Sequence, residues 1–341
     1  MPITLKDIAE RAKVSQAAVS IAMGSSGRIS DETRKRILKI ANDMGYRPNL
    51  LVHGIQKGRT MTVGVLMYLS DDAFNTRLFN GFHNNLAEAK YVPIVLMPCK
   101  AASVLDQMHS LIDRRVDGIL IRPSAEAMWE RHLNEALDRN VPVVSVDVET
   151  QGENRHVDFV GTDDVGGARM AAEKLLEAGH RSLGVLTTGS FPDGMYFRRE
   201  GFEKRVAEQN GATCVSISEP WRVGIDGYEA AKKMLTLNPR PTAIFVTMDQ
   251  LARGVYRAAK EMRLSIPDDL SVIGFADNPI ATLLEPKLTT LHQRPEEIGA
   301  RASKLLLQRI KEGDQHGERE RILIKPDLAM RESIGPAPTN S

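Results

Sequence analysis

Residues 4–20 read TLKDIAERAKVSQAAVS, and their spacing decides how the chain begins. Thr4 stands three residues before Asp7, the Thr-x-x-Asp arrangement of a capping box that opens a helix. Leu5, Ile8, Ala9 and Ala12 then recur at i, i+3, i+4 and i+7 and form one apolar face. Lys13-Val14 leaves room for a short connection only, and Ser15 is a good N-cap for QAAVSIAM. A third helix starts after Ile29: Ser30 caps it, and Asp31 and Glu32 favour its positive end. Ile37, Ile40, Ala41 and Met44 supply its buried stripe, and Gly45 stops it.

Three short helices with so tight a turn between the first two form a helix-turn-helix. The second helix of such a motif enters a DNA major groove. Charge points the same way. The chain has 341 residues and a net charge of +1, but residues 1–60 hold eleven Lys/Arg against five Asp/Glu. The remainder holds 34 against 39, so a basic head precedes a mildly acidic body. Charge alone fits a solvated basic face equally well; the helix pattern adds the specificity.

With 42% apolar and 26% charged residues, the composition is that of a globular protein and excludes disorder. No run approaches the roughly 18 uncharged apolar residues of a membrane helix. The N-terminus reaches charge too soon for a signal peptide, so a cytoplasmic protein is expected. Cys99 and Cys214 lie far apart, with no thiol or histidine at ligand spacing, and read as buried free thiols. No metal or cofactor is expected. GxSxG, P-loop and HExxH patterns are absent, which argues against an enzyme.

After Thr60 the pattern changes to short β-branched runs alternating with amphipathic segments. MTVGVLMYL, VPIVLMP, VDGILIRP and VPVVSVDV form one series; RSLGVLTTG, ATCVSIS, TAIFVTM and LSVIGFA form a second. Such alternation predicts parallel sheets covered by helices on both faces. Two series predict two α/β lobes, with a ligand cleft at the C-terminal ends of their strands.

The head, TLKDIAERAKVSQAAVS followed by ISDETRKRILKIANDMGYRPN, resembles that of lactose/galactose-repressor (LacI/GalR) regulators. Those heads run TxxDVAxxAGVSxxTVSRVLN and end in YxPN. The resemblance continues in order through VDGILI (116–121), VPVVSVD (141–147), RREGF (198–202), VTMDQLARG (246–254), IPDDLSVIGFAD (266–277) and PKLTTLHQRPEEIG (286–299). It implies a DNA-binding transcriptional regulator, in most cases a repressor, that binds a palindromic double-stranded operator as a homodimer. It also implies an effector, a sugar or related metabolite, held in a body of two periplasmic-binding-protein-like lobes. The implied division is a head at 1–47, a hinge at 48–60, a body at 61–334 and a tail at 335–341. Three lobe crossings fall near 160–162, 290–292 and 324–326. Lobe one then takes 61–160 and 292–324, and lobe two 162–290 and 326–334. The tail after Arg331 has no leucine heptads, so a dimer rather than a tetramer is expected. A periplasmic solute-binding protein would share the body; the capped basic head argues against it.

On the DNA side, Val14, Val19 and Met23 are expected in the head's core, with Thr4 and Ser15 beside phosphate. Gln16, Ala17, Ser20 and Ile21 point outward. Gln16 suits the N6/N7 edge of adenine, and Ala17 and Ile21 suit thymine methyls. Relatives carry Arg where this chain has Ile21, Thr at Ala18 and Asn at Gly24. An A·T-leaning half-site follows, with affinity resting on Arg28, Arg34, the hinge and dimerisation. In relatives the hinge folds on operator; Asn49, His53 and Ile55 are its expected contacts, Ile55 being the apolar wedge. Gly54 disfavours that helix by roughly 1 kcal/mol relative to Ala.

On the effector side, the resemblance places Arg198 as the clamp, Asp147 as a cleft acid, Phe74 against the ligand ring and Trp221 as a further aromatic. Without it, Arg198 reads as a surface arginine at a helix start. Asp163 reads equally as a cleft acid or a helix cap. Met248-Asp249 and Ala276-Asp277 stand where sugar-binding relatives carry Asn-Asp and an Asp. Two groups that hold hydroxyls are thereby lost, which points to an effector less hydroxyl-rich than a simple sugar, or to weakened effector control. Asp277 either compensates for Ala276 or caps the next segment.

Overall fold

The computed structural model describes residues 3–24, 27–47, 59–67, 73–97, 103–123, 129–149, 157–189, 194–220, 225–313 and 318–339. Residues 1–60 and 61–341 form two compact units.

The first unit holds α1 (Leu5–Ala12), α2 (Gln16–Met23) and α3 (Asp31–Asp43). The capping box is closed in both directions: Thr4 N donates to Asp7 Oδ2 at 2.7 Å, and Asp7 N donates back to Thr4 Oγ1 at 3.4 Å. Those bonds from Thr4 hold the Asp7 carboxyl below its usual range. Ser15 Oγ accepts from Ala18 N, and Ser30 Oγ from Thr33 N. Lys13 ends α1 in the left-handed region at φ 51°, where the family pattern carries glycine. Ile8, Ala12, Val19, Ala22, Ile37 and Ala41 close a small core, with Val14 and Met23 packed against it.

The second unit contains two six-stranded sheets. The first lobe runs β1 (Thr62–Met67), α4 (Ala73–Glu88), β2 (Val92–Leu96), α5 (Ser103–Asp113), β3 (Gly118–Arg122), α6 (Trp129–Asp138), β4 (Val143–Val146) and β5 (Asp158–Thr162). The second runs α7 (Asp164–Glu177), β6 (Ser182–Thr188), α8 (Gly194–Ala207), β7 (Thr213–Glu219), α9 (Tyr228–Leu235) and β8 (Ala243–Val246). It continues through a 3-10 turn (Asp249–Leu251), α10 (Ala252–Glu261), β9 (Ser271–Ala276), α11 (Ile280–Leu283) and β10 (Thr289–His292). α12 (Pro295–Glu312) and β11 (Arg321–Ile324) return to the first lobe, and β12 (Asp327–Ala329) to the second. The strand orders are β11-β5-β4-β3-β1-β2 and β12-β10-β9-β8-β6-β7; every pairing is parallel except β10 with β12.

The central strands β1, β3, β4, β8 and β9 are buried on both faces because each sheet is sandwiched. In β1, Val63, Val65 and Met67 pack beneath α4 and α12, while Leu66 packs beneath α5 and α6. In the second lobe, Ile244 and Val246 face α9 and α10, and Ala243 and Phe245 face α7 and α8. Helices α4 and α12 touch backbone to backbone. A Cβ on Gly81 would lie 2.2 Å from Glu296 O, and one on Gly299 2.2 Å from Leu78 O. That contact fixes the returning α12 against the first lobe and leaves the strand ends open toward the second.

Candidate functional site

Three elements bring the first lobe's polar groups to one end of its sheet. Arg122 ends β3, Asp147 follows β4, and Phe74 opens α4. Nε and Nη2 of Arg122 both donate to Asp147 Oδ2, at 2.9 and 2.6 Å. The guanidinium also lies 5.1 Å from the centre of the buried Phe74 ring. Asp147 holds φ at 65°, a region sparsely used by non-glycine residues and common at ligand sites.

The facing lobe repeats the motif. Arg198, on α8, is buried; its Nε donates to Asp164 Oδ1 at 2.7 Å, its Nη1 donates to Thr247 O at 2.9 Å, and it stacks 4.0 Å from Phe275. Arg198 thus joins the first turn of α7 to the ends of β8 and β9. Asp163 is the N-cap of α7: its Oδ1 accepts from Gly166 N at 2.9 Å, and the residue also lines the cleft.

The residues after β8 and β9 have divided roles. Asp249 is fully buried; Oδ1 accepts from Thr290 Oγ1 at 2.6 Å and Oδ2 from Asn278 N at 2.7 Å. Burial pushes its carboxyl up to about 7 against those two bonds. Through these bonds Asp249 ties β10 to the segment after β9. Asp277 accepts from Arg331 Nη2 at 2.6 Å, so the residue after Ala276 is tied to the chain's end and caps no helix. Met248 is buried, and Ala276 carries φ 115°, a second uncommon backbone at the strand ends.

Between the lobes lies a cavity of about 310 Å³. Asp147, Glu149, Phe159, Thr162 and Arg321 border it from the first lobe; Asp163, Asp164, Gly194, Phe197 and Glu200 border it from the second. The lobes are tied beside it, where Gln293 Nε2 donates to Thr162 Oγ1 at 3.0 Å across two crossings. Among the described residues no cluster of His, Cys, Asp or Glu could hold a metal ion. Burial pushes the Cys214 thiol up to about 12, leaving it unreactive, and Cys99 lies outside the described residues.

In the head, Gln16, Ala17 and Ser20 are exposed on one side of α2, and Ile21 is half-buried. A Cβ on Gly27 would stand 2.5 Å from Ile21 Cγ2, so Ile21 lies against that backbone. Arg28 is exposed. Arg34 reaches the end of α2, its Nη1 donating to Gly24 O at 3.2 Å, the favourable place for a cation at a helix C-terminus. Thr4 and Ser15 are exposed caps. Asn49, His53, Ile55 and Trp221 fall outside the described residues.

Comparison with known proteins agrees with this geometry. Residues 4–49 match the model of bacterial regulatory proteins of the lacI family, and residues 172–334 match the periplasmic binding protein-like domain. The HTH-type transcriptional repressor PurR of Edwardsiella ictaluri is 30% identical over 346 residues, covering 98% of each chain. The chain belongs to the LacI family. It is a DNA-binding transcriptional regulator and not an enzyme. The ribose operon repressor of Haemophilus influenzae is 28% identical over 337 residues, covering 97% of this chain and 98% of its own. The lac repressor dimer bound to operator and the anti-inducer ONPF superposes at a TM-score of 0.83, with 23% identity over 98% of this chain and 99% of its own, a likeness of fold. A LacI-family regulator from Enterococcus faecium with bound ribose gives 0.69 at 28% identity, over 81% of this chain and 99% of its own.

For a LacI-family body the notable additions are Arg122 and Asp164, which sequence reasoning did not single out. The signal was present: a charged residue closes the otherwise apolar strand GILIR (118–122). Its partner Asp147 lies 25 residues on, and no local pattern links the two.

Proposed function

We propose that this chain is a cytoplasmic repressor that binds a palindromic operator as a homodimer and responds to a small metabolite held between its lobes. The single observation that carries the effector half is the interlobe cavity, bordered by Asp147 and Asp164, the carboxylates of two Arg–Asp–Phe clusters at the strand ends, Arg122–Asp147 over Phe74 and Arg198–Asp164 over Phe275. A planar guanidinium on an aromatic ring, with a carboxylate beside it, offers donors, acceptors and a flat face together. Such a set suits a small ring-shaped metabolite bearing a few polar groups, a carbohydrate or a relative of one. Phe74, Asp147 and Arg198 are its proposed contacts from the family pattern, joined by Arg122, with Asp163 bordering the cavity; Trp221, from the same pattern, falls outside the described residues. Met248 and Ala276 supply apolar wall where an ordinary sugar would need polar partners, and Asp249 and Asp277 act by bracing the backbone.

On the DNA side, Gln16, Ala17, Ser20 and Ile21 are the proposed reading set, and Arg28 with the hinge residues supplies phosphate and minor-groove contact. Thr4 and Ser15 adjoin the phosphates, and Arg34 positions α2.

Selection of bound fragments from random DNA, repeated with candidate metabolites, tests both halves. A two-fold-symmetric consensus whose retardation weakens steeply with salt supports the regulator. Absence of any specific fragment across salt concentrations would overturn it. Micromolar binding of an ordinary hexose by calorimetry would overturn the apolar reading of Met248 and Ala276.

A further inference from the structure

Arg199 follows the clamp residue Arg198 on α8 and points elsewhere. Most of its charged neighbours are matched: Arg169 with Glu208 at 2.8 Å, Arg205 with Glu173 at 3.5 Å and Arg198 with Asp164 at 2.7 Å. Among the described residues Arg199 makes one long ion pair, with Glu203 at 3.9 Å from Nε, beyond hydrogen-bond reach, and its side chain is 32% exposed. Glu203 is itself drawn aside by a hydrogen bond from the Ser216 hydroxyl. Nε of Arg199 is buried, and among the described residues it has no hydrogen-bond partner. A buried cationic N–H without an acceptor is costly, so this guanidinium gains from any added acceptor that reaches it.

The guanidinium borders a cavity of about 170 Å³ whose other walls are Thr187, Gly189, Tyr196 and Ser218. The Tyr196 ring lies 5.2 Å from the guanidinium carbon and supports it from one side. Thr187 Oγ1 already accepts the Thr247 hydroxyl, which leaves its own hydrogen to donate. Among the described residues no acidic side chain lines the cavity. It opens at the C-terminal ends of β6 and β7, the end of a parallel sheet where ligands bind. It is separate from the interlobe cavity: α8 presents Tyr196 and Arg199 to one, and Gly194, Phe197 and Glu200 to the other.

We propose that this second-lobe cavity is an oxyanion subsite, in which Arg199 holds the phosphate or carboxylate group of a small molecule. It is distinct from the effector cleft and does not depend on the effector reading. The test is calorimetric titration of the full-length chain with inorganic phosphate, and separately with acetate, at an ionic strength held constant with chloride. Wild type is expected to show a saturable site for at least one anion; Arg199→Gln weakens it at least tenfold, and Arg199→Lys weakens it less. The basic head also attracts anions, but it is identical in all these proteins, so the difference between them isolates the cavity. Should Arg199→Gln fail to fold, Ser218→Asp at an exposed position supplies a carboxylate to Arg199 and is expected to block binding to the same extent. Isotherms identical in wild type and variants, or no saturable binding of either anion, overturn the proposal. Unchanged operator retardation by Arg199→Gln keeps this outcome separate from the DNA-binding function.

Discussion

Arg198 and Asp164, 34 residues apart in the chain, meet at 2.7 Å with side chains only 6% and 8% exposed. The pair is the tightest charged link between α8 and the first turn of α7. Two charges removed from water are retained only with good geometry and further hydrogen bonds, which Thr247 O supplies. Removing one partner is therefore worse than removing both. Arg198→Met alone is expected to cost about 3–5 kcal/mol by taking the guanidinium away from a buried carboxylate. Arg198→Met with Asp164→Ala should recover part of that loss. A double-mutant cycle by denaturant unfolding measures the coupling, and additive losses would refute it.

In the first lobe's cluster Arg122 is more exposed, at 21% of its side chain, than Arg198 in the second. Arg122→Ala and Asp147→Ala are each expected to weaken the effector's influence on operator binding at least tenfold. Operator affinity without effector should stay within about twofold, since neither residue belongs to the head. Gel retardation with and without the selected metabolite measures both quantities, and an undiminished response to effector would remove these residues from the site.

The uncharged reading helix makes a specific claim about bases. Ile21→Arg places a guanidinium where a bidentate bond to guanine is available, a contact worth about 1–3 kcal/mol of discrimination. The selected half-site should gain a guanine at one position. Because Ile21 lies against Gly27, the variant is also expected to lower the head's stability slightly. Selected sequences that do not change would deny Ile21 its reading role.

Two buried groups in the second lobe give opposite pH dependence. Asp249 has a folded-state pKa raised by burial to about 7, so the native state holds its proton through a window where the unfolded chain has lost it. Its stabilising contribution is present below the ordinary carboxyl value and is lost as pH rises to about 7. His180, buried between Thr242, Ser271 and Gly335, is held below its ordinary 6.5 chiefly by burial. Its contribution is lost as pH falls below 6.5, where the unfolded chain binds the proton first. Melting temperatures should fall less steeply in Asp249→Asn as pH rises from the ordinary carboxyl value to about 7, and less steeply in His180→Gln as pH falls below 6.5. A wild-type profile reproduced by either variant would assign that decline to other groups.

Much of the architecture was legible because it is written in short-range patterns. Thr4 with Asp7, Ser15 with Ala18 and Ser30 with Thr33 are bonds across three residues, and each cap follows from the residues beside it. The strands were legible because both faces of a covered parallel sheet are apolar, as Val63 and Leu66 show on opposite sides of β1. Roles of charged residues were less legible. Arg309 and Arg198 both end on a buried aspartate, yet Arg309 reaches Asp158 at the far end of β5 and Arg198 reaches Asp164 at the cleft. Asp163 caps α7 and also borders the interlobe cavity.

By itself the sequence determined three capped helices, a basic head, two strand–helix series and an uncharged reading face, because periodicity, capping and composition act over a few residues. Tertiary structure alone decided which carboxylate each arginine meets, that Asp249 is buried against Thr290, and that Arg199 borders a cavity while Arg198 is buried against Asp164 and Phe275. Those outcomes depend on which strand ends and helix faces converge. Convergence follows from packing backbones such as Gly81 and Gly299 against each other, across chain separations that no local pattern spans.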